Sequence, residues 1–299
     1  MKMDTYIGLD MGKTKLAAGL VTEEGKILRR NSVLTDWSDG GINILDQSRN
    51  LLRSLIEGAE KPKGIGIGCF ALVDQRRGVI IKSSVKSWIN TPLSKIFSEE
   101  FGMPTVINTD VEAACLAEYL FGAAKGSRTA SYMTISSGIA EATIFNGRIW
   151  HGSRSLAGHI GHLEMNSPGT MDDLFSGWGM DEKAKSISGK KISTKEIFDA
   201  VNTDPNHPYS KIIKGAVRTA GAAVAWINNL INPDVIVIGG SIGYNQKGFV
   251  NAIKSEAERI MGVYMVQYPS GLNVLPSALG SDNGIIGAAL LPKNEVAND

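Results

Sequence analysis

The stretch NTDVEAACLAEYLFGAAKG, from Asn108 to Gly126, decides how the rest of the chain is read. A polar turn carrying one acid, Asp110, runs into apolar residues at Val111, Ala114, Cys115, Leu116, Tyr119 and Leu120. That spacing lines one face of a helix and does not alternate as a strand would. Asp110 is expected at the N-cap, where free amides and the positive end of the helix favour an anion. Two readings stand open for it: a cap, or a carboxylate presented at a helix start for chemistry. What lies on either side of this stretch bears on the choice.

Upstream, Thr5 to Leu9 reads as a buried strand, broken by the turn DMGKTK and resumed from Leu16 to Val21. A second turn at Glu24-Gly25 leads into Lys26 to Arg30. Strand, glycine turn and strand is not the strand, loop and helix of a Rossmann or Walker motif, so both are rejected. The turn is open to two readings as well. It is a plain hairpin turn, since Gly and Asp dominate turns, or a phosphate-facing loop with a bare glycine backbone, donors from Thr14 and the amides, and Asp10 for a hydrated magnesium ion. Further on, a helix is expected over residues 41–58, a strand over 63–70, a loop over 71–77, a strand over 78–82, a helix over 92–101 and a strand over 105–108. Strands first and then strands alternating with helices make an α/β domain with a mixed sheet.

Downstream, Ala130 to Ile135 is a strand that turns through SSGIAEA into Thr143 to Phe145, with a hairpin signal at Asn146-Gly147. Strand, glycine turn and strand thus occurs once in each half of the chain, the mark of a duplicated fold. LAGHIGH, residues 156–162, is a small-residue loop with two histidines. Helices are expected over 171–186, 194–201 and 211–230, the last ended by Asn232-Pro233. VIVIGGSIG is a buried strand running into a Gly-Gly turn. A helix over 249–261, a strand over 272–275, the loop ALGSDNG and a last helix over 284–291 complete the chain.

Composition narrows the class. The chain has 299 residues, 43% of them hydrophobic and 20% charged, with a net charge of +1. That suits two soluble domains with real cores and argues against a nucleic-acid or membrane-surface partner. The two cysteines, Cys69 and Cys115, lie in apolar surroundings and form no framework, so a reducing, cytoplasmic setting is expected. The opening MKMDTYIGLD has no apolar core of signal-peptide length, and no stretch approaches the ~20 apolar residues of a membrane helix.

In order, DMGKTK, TDVEAACLAEYLFGAAKG, SSGIAEATIFNGRI, AGHIGH, VIVIGGSIG and ALGSDNGIIGAAL resemble the motifs of ROK proteins, a family of sugar kinases and related repressors. The resemblance spans roughly residues 5–291. It implies an α/β, two-domain actin/hexokinase-like (ribonuclease H-like) fold with mixed sheets flanked by helices. It implies a smaller domain over 1–108 joined by the C-terminal helix 284–299, and a larger one over 109–283 carrying nucleotide and dimer surfaces. By the same likeness Asp10, Gly12, Lys13, Thr14 and Lys15 face Mg-ATP. Ser137 and Gly138 form the second phosphate loop, where Ser136, Ala140 and Glu141 replace family glycines, and Gly239 and Gly240 the adenosine turn. Asp110 falls on the catalytic acid. Thr109, His159, His162 and Asp172 fall at the sugar side. Thr109 replaces an Asn there, His159 a Glu and Asp172 a longer Glu, while Val85 stands at an Asn ahead of Trp88; the resemblance implies that these changes alter which sugar hydroxyls can be satisfied, which puts ordinary glucose specificity in doubt.

A sugar hydroxyl is a poor nucleophile, so a carboxylate must take its proton as it attacks the γ-phosphate. In that context Asp110 is read as the general base. The implied cofactors are ATP and Mg²⁺. No zinc is expected, because no cysteine follows Cys115 to join His162 in a four-ligand site. His159 and His162 read equally well as loop histidines packed under the second domain. The expected function is an ATP-dependent sugar kinase acting on a hexose, N-acetylhexosamine or related polyol, as a homodimer by family likeness. Alternatives are a sugar-binding regulatory ROK protein with weak or no kinase activity, and a DNA-binding repressor. The latter is disfavoured by a first strand at Thr5 and a near-zero charge.

Overall fold

The computed structural model describes residues 3–165, 169–262 and 270–296. It divides into two compact units. The first is Met1–Lys125, Ile144–Ala157 and Ser281–Asp299; the second is Gly126–Thr143 and Gly158–Gly280.

The first unit holds β1 (Thr5–Met11), β2 (Lys15–Thr22), β3 (Ile27–Leu34), α1 (Asn43–Ile56), β4 (Ile65–Cys69), β5 (Leu72–Asp74), β6 (Val79–Lys82), α2 (Leu93–Phe101), β7 (Thr105–Thr109) and α3 (Asp110–Phe121). The last helix of the chain, Asn283–Val296, also belongs here. The sheet order is β3-β2-β1-β4-β7, antiparallel from β1 to β3 and parallel from β1 through β4 to β7. Side chains alternate across a strand, and the two faces differ sharply. Ile7, Leu9 and Met11 of β1, Ile65 and Ile67 of β4 and Ile107 of β7 share an apolar core with Leu51, Leu52, Leu93 and Phe97 of α1 and α2. The opposite face carries Gly8 and Gly66, and there the last helix lies directly on the backbone. A Cβ on Gly66 would sit 1.7 Å from the Ala288 carbonyl oxygen, and one on Gly8 would sit 2.0 Å from that of Ile285. Asp10, two residues after Gly8, lies on this same face.

The second unit holds β8 (Thr129–Ile135), β9 (Ile139–Phe145), β10 (Arg148–Ile149), α4 (Met171–Phe175), α5 (Gly177–Ser188), α6 (Thr194–Thr203), α7 (Ser210–Ile231), β11 (Val235–Gly239), α8 (Gly240–Asn245), α9 (Phe249–Met261) and β12 (Val274–Pro276), although residues 144–157, with the end of β9 and all of β10, are compact with the first unit. The last helix of the chain is α10. The order is β10-β9-β8-β11-β12, with β9 and β10 antiparallel and β8, β11 and β12 parallel. This is the succession of the first sheet repeated, which is the duplication expected from the two glycine-turn hairpins.

Four expectations are corrected. The boundary at Asn108 falls inside the first unit, because α3 packs on α10: a Cβ on Gly287 would come within 1.7 Å of the Ala113 carbonyl oxygen. The loop over 71–77 contains β5, which pairs with β6. The helix over 171–186 is broken at Ser176, which ends α4 in an extended conformation and caps α5 through its hydroxyl, 3.1 Å from the Gly179 amide. The Gly-Gly turn after β11 leads at once into α8. The part of the expected C-terminal helix over 297–299, and Pro168 of the sugar-side segment, lie outside the described residues.

Candidate functional site

In the first unit the site forms where β1, β4, β7 and the start of α3 meet. Thr109, and not Asp110, is the N-cap of α3. Its hydroxyl accepts the Glu112 amide at 3.3 Å, and the Glu112 carboxylate reaches back to the Thr109 amide at 3.0 Å. This reciprocal capping box satisfies the helix start without Asp110. Asp110 is therefore the first helical residue, its Oδ1 accepting its neighbour's amide, from Val111, at 2.9 Å. Thr109 is buried and spent on the cap.

Asp10 and Asp110 are close enough for their charges to interact. Both are enclosed by protein yet keep some solvent contact. Burial pushes the Asp110 carboxyl up to about 6, with the Val111 amide and Lys13 opposing and Glu112 adding to the rise. Burial, followed by repulsion from Asp110, pushes Asp10 up to about 7 against Lys15 and Arg30. Of these two oxygen-only groups, Asp10, with the higher proton affinity of the two, is the one that could take a hard divalent cation in place of its proton. The turn from Asp10 to Lys15 is closed by the Gly12 amide on the Lys15 carbonyl at 3.1 Å. A Cβ on Gly12 would stand 2.7 Å from that oxygen. Lys13, Thr14 and Lys15 are exposed. Thr35 and Trp37, which the motif reading missed, brace the turn. Thr35 donates its hydroxyl to the Gly12 carbonyl at 2.8 Å and its amide to Thr14 at 3.1 Å, and the Trp37 indole donates to the Lys13 carbonyl at 2.8 Å.

The raised carboxyls carry a sign for stability. In the unfolded chain these acids ionise near 3.8. Below that pH both states hold the protons. As pH rises through about 7 the folded state must ionise Asp10 against its surroundings, and the stability is lost. Asp10→Asn is therefore expected to unfold at the same temperature as the parent at pH 4. At pH 8 in EDTA it should be more stable by about 2 kcal/mol, a full shift of ~1.4 kcal/mol per unit being discounted for solvent contact. Equal melting curves at both pH values would count against the buried pair.

In the second unit, Ser136, Ser137, Gly177, Trp178, Asp181, Glu182, Lys185, Lys191, Thr194, Ser241 and Ile242 line a cavity of about 550 Å³. Ser137 is exposed on it. The Ser136 and Ser241 hydroxyls meet at 3.2 Å, joining the loop after β8 to the start of α8. The Tyr132 hydroxyl supports that turn by accepting the Gly240 amide at 3.2 Å. Gly240 has φ +78°, and a Cβ there would strike Ile135 and Thr134. Trp178, Lys185 and Lys191 were not foreseen; they sit on and after α5 and carry no motif.

Asp172 stands beneath the second loop. Its Oδ1 accepts the Ile139 amide at 2.6 Å, and its Oδ2 is 3.9 Å from His162 Nδ1. A Cβ on Gly138 would lie 3.5 Å from Oδ1. One oxygen of this expected sugar contact is thus occupied in holding the loop between β8 and β9. His162 is exposed and His159 half-buried. Among the described residues no group of three or more His, Cys, Asp or Glu is placed to hold a metal ion, and no helix is long and apolar enough to cross a membrane.

A sequence profile of the ROK family matches residues 6–295. A glucokinase of Halalkalibacterium halodurans is 26% identical over 318 aligned residues, covering 97% of this chain and 95% of the relative. The crystal structure of a ROK hexokinase from Thermus thermophilus superposes with a TM-score of 0.84 at 27% identity, covering 99% of this chain and all of the other. A Streptomyces griseus ROK-family glucokinase in complex with glucose and AMPPNP gives 0.82 at 25% identity, covering 96% of this chain and 98% of the other.

Proposed function

The chain belongs to the ROK family, and on that footing we propose that it is an ATP-dependent carbohydrate kinase with Asp110 as its general base. Its mixed sheets and flanking helices are those of the actin/hexokinase-type fold. The acceptor class is a hexose, N-acetylhexosamine or related polyol. The observation that carries the reading is the release of Asp110 from capping duty by Thr109 and Glu112. This leaves a carboxylate at a helix start with its proton affinity tuned toward neutrality. A base must be ionised at working pH yet basic enough to take a hydroxyl proton, and a value near 6 serves both needs.

The other residues bind and orient. Asp10 is the group to hold Mg²⁺, which when bound supplies neutralisation of the phosphate oxygens. Gly12 and the amides around it admit phosphate close to the backbone, with Lys13, Thr14 and Lys15 as exposed donors. Ser137 and Gly138 present the second loop, and Gly239 and Gly240 the turn beside the cavity. His159, His162 and Asp172 are assigned to the sugar side, whereas Thr109, expected there, is committed to Glu112 in the cap behind Asp110. The test is ADP release across a panel of hexoses, N-acetylhexosamines and polyols. A kinase shows one clear winner; a sugar-binding regulatory protein releases no ADP with any of them.

Within this reading Trp178, 55% exposed on the cavity, is a platform for the nucleotide base. Stacking of a base on an aromatic ring contributes about 1–3 kcal/mol. Trp178→Ala is expected to raise the KM for ATP about tenfold or more, with kcat within about twofold. An unchanged KM for ATP would remove the base from this wall.

A further inference from the structure

Next to Asp110 lies a buried charged cluster for which the proposed chemistry has no use. Glu112, on the same first turn of α3, has a side chain only 8% exposed. Its carboxylate gathers donors from three separate segments of the first unit. The amide and hydroxyl of Thr109, at the end of β7, donate to Oε2 at 3.0 and 2.9 Å. Gln75, in the turn between β5 and β6, donates from Nε2 to both oxygens at 3.2 and 3.1 Å. His151, just past β10, brings Nδ1 to Oε1 at 2.6 Å. Burial opposes the charge on Glu112, but the His151 contact and the Thr109 donors outweigh it and hold the carboxyl below its ordinary range.

A capping box needs only Thr109 and Glu112. Gln75 and His151 are additional, and they anchor two further segments to the residues on either side of Asp110. A carboxylate bonded to an imidazole this close also sets the field at Asp110, whose other charged or titratable neighbours are Asp10 from β1, Lys13 from the first turn and Cys69 from β4. Burial pushes the Cys69 thiol up to about 12, so it stays neutral. We propose that the Glu112–His151 pair is a positioning device for Asp110, in which Glu112 holds the first turn of α3 in register and His151 balances its charge. This rests on Asp110 being the base.

The experiment measures kcat/KM against pH for the parent, Glu112→Gln and His151→Gln on the winning sugar, with unfolding temperatures alongside and Asp110→Asn as reference. Glu112→Gln keeps an acceptor for Thr109 but removes a negative charge beside Asp110, so the acid limb moves to lower pH. His151→Gln leaves Glu112 uncompensated, so the acid limb moves to higher pH. Shifts of about half a pH unit or more in opposite directions are expected, with kcat reduced several-fold in both and KM for ATP unchanged. A purely structural pair would lower the unfolding temperature and leave both limbs where the parent has them, which overturns the proposal. If Asp110→Asn itself retains activity, it is the assignment of the base that fails.

Discussion

Asp110→Asn is expected to fold as the parent does and to lose phosphoryl transfer by a factor of about a hundred to ten thousand, the range that general-base catalysis contributes. The amide keeps the shape of the side chain and an oxygen for the Val111 amide. It cannot accept the proton of an attacking hydroxyl. The helix cap is untouched, because Thr109 and Glu112 supply it. The pH profile of the parent should agree. A base must be deprotonated to act, so kcat/KM is expected to fall as pH drops through about 6. Coupled ADP release and a melting curve on the same preparation make the check. Turnover near that of the parent, in a folded variant, would remove Asp110 from its role.

The second large effect concerns the glycines beneath and within α10. Gly66→Ala and Gly287→Ala each drive a Cβ to 1.7 Å from a carbonyl oxygen, of Ala288 and Ala113 respectively. Neither oxygen is the movable end of a side chain. Helix α10 must lift from the sheet or from α3, and overpacking of this kind costs about 3 kcal/mol or more. Gly215→Ala, in the middle of α7 with nothing within 4 Å of the new methyl, should do the opposite and stabilise by about 0.5–1 kcal/mol through helix propensity. Urea unfolding of the three variants tests the contrast. A Gly287→Ala midpoint equal to that of the parent would mean that α10 does not lie as close to α3 as described.

Much of this molecule is legible in short stretches of chain. The glycine-turn hairpins announce their strands, and their recurrence foreshadows two sheets of the same order. The helix after Asn108 follows from its apolar spacing. Even the capping box can be read as Thr109 followed three residues later by Glu112. The more conspicuous acid, Asp110, stands one residue inside the cap. A local pattern shows that a helix begins with a polar group; which hydroxyl or carboxylate takes the amide is decided by side-chain geometry at the turn.

What no local pattern could carry are the partnerships made by chain returning from a distance. Glu112 and His151 are separated by 39 positions, and Asp172 holds an amide 33 positions before it. Trp37 and Thr35 brace a turn they follow by some twenty residues. Trp178 and Lys191 face one cavity from different segments. The shifted proton affinities of Asp10 and Asp110 arise in the same way, since they measure enclosure and the nearness of a second charge. Periodicity and turn chemistry act between residues a few bonds apart and are written into neighbouring letters. Desolvation, charge pairing and close backbone contact act through space, and they exist only once the chain has come back upon itself.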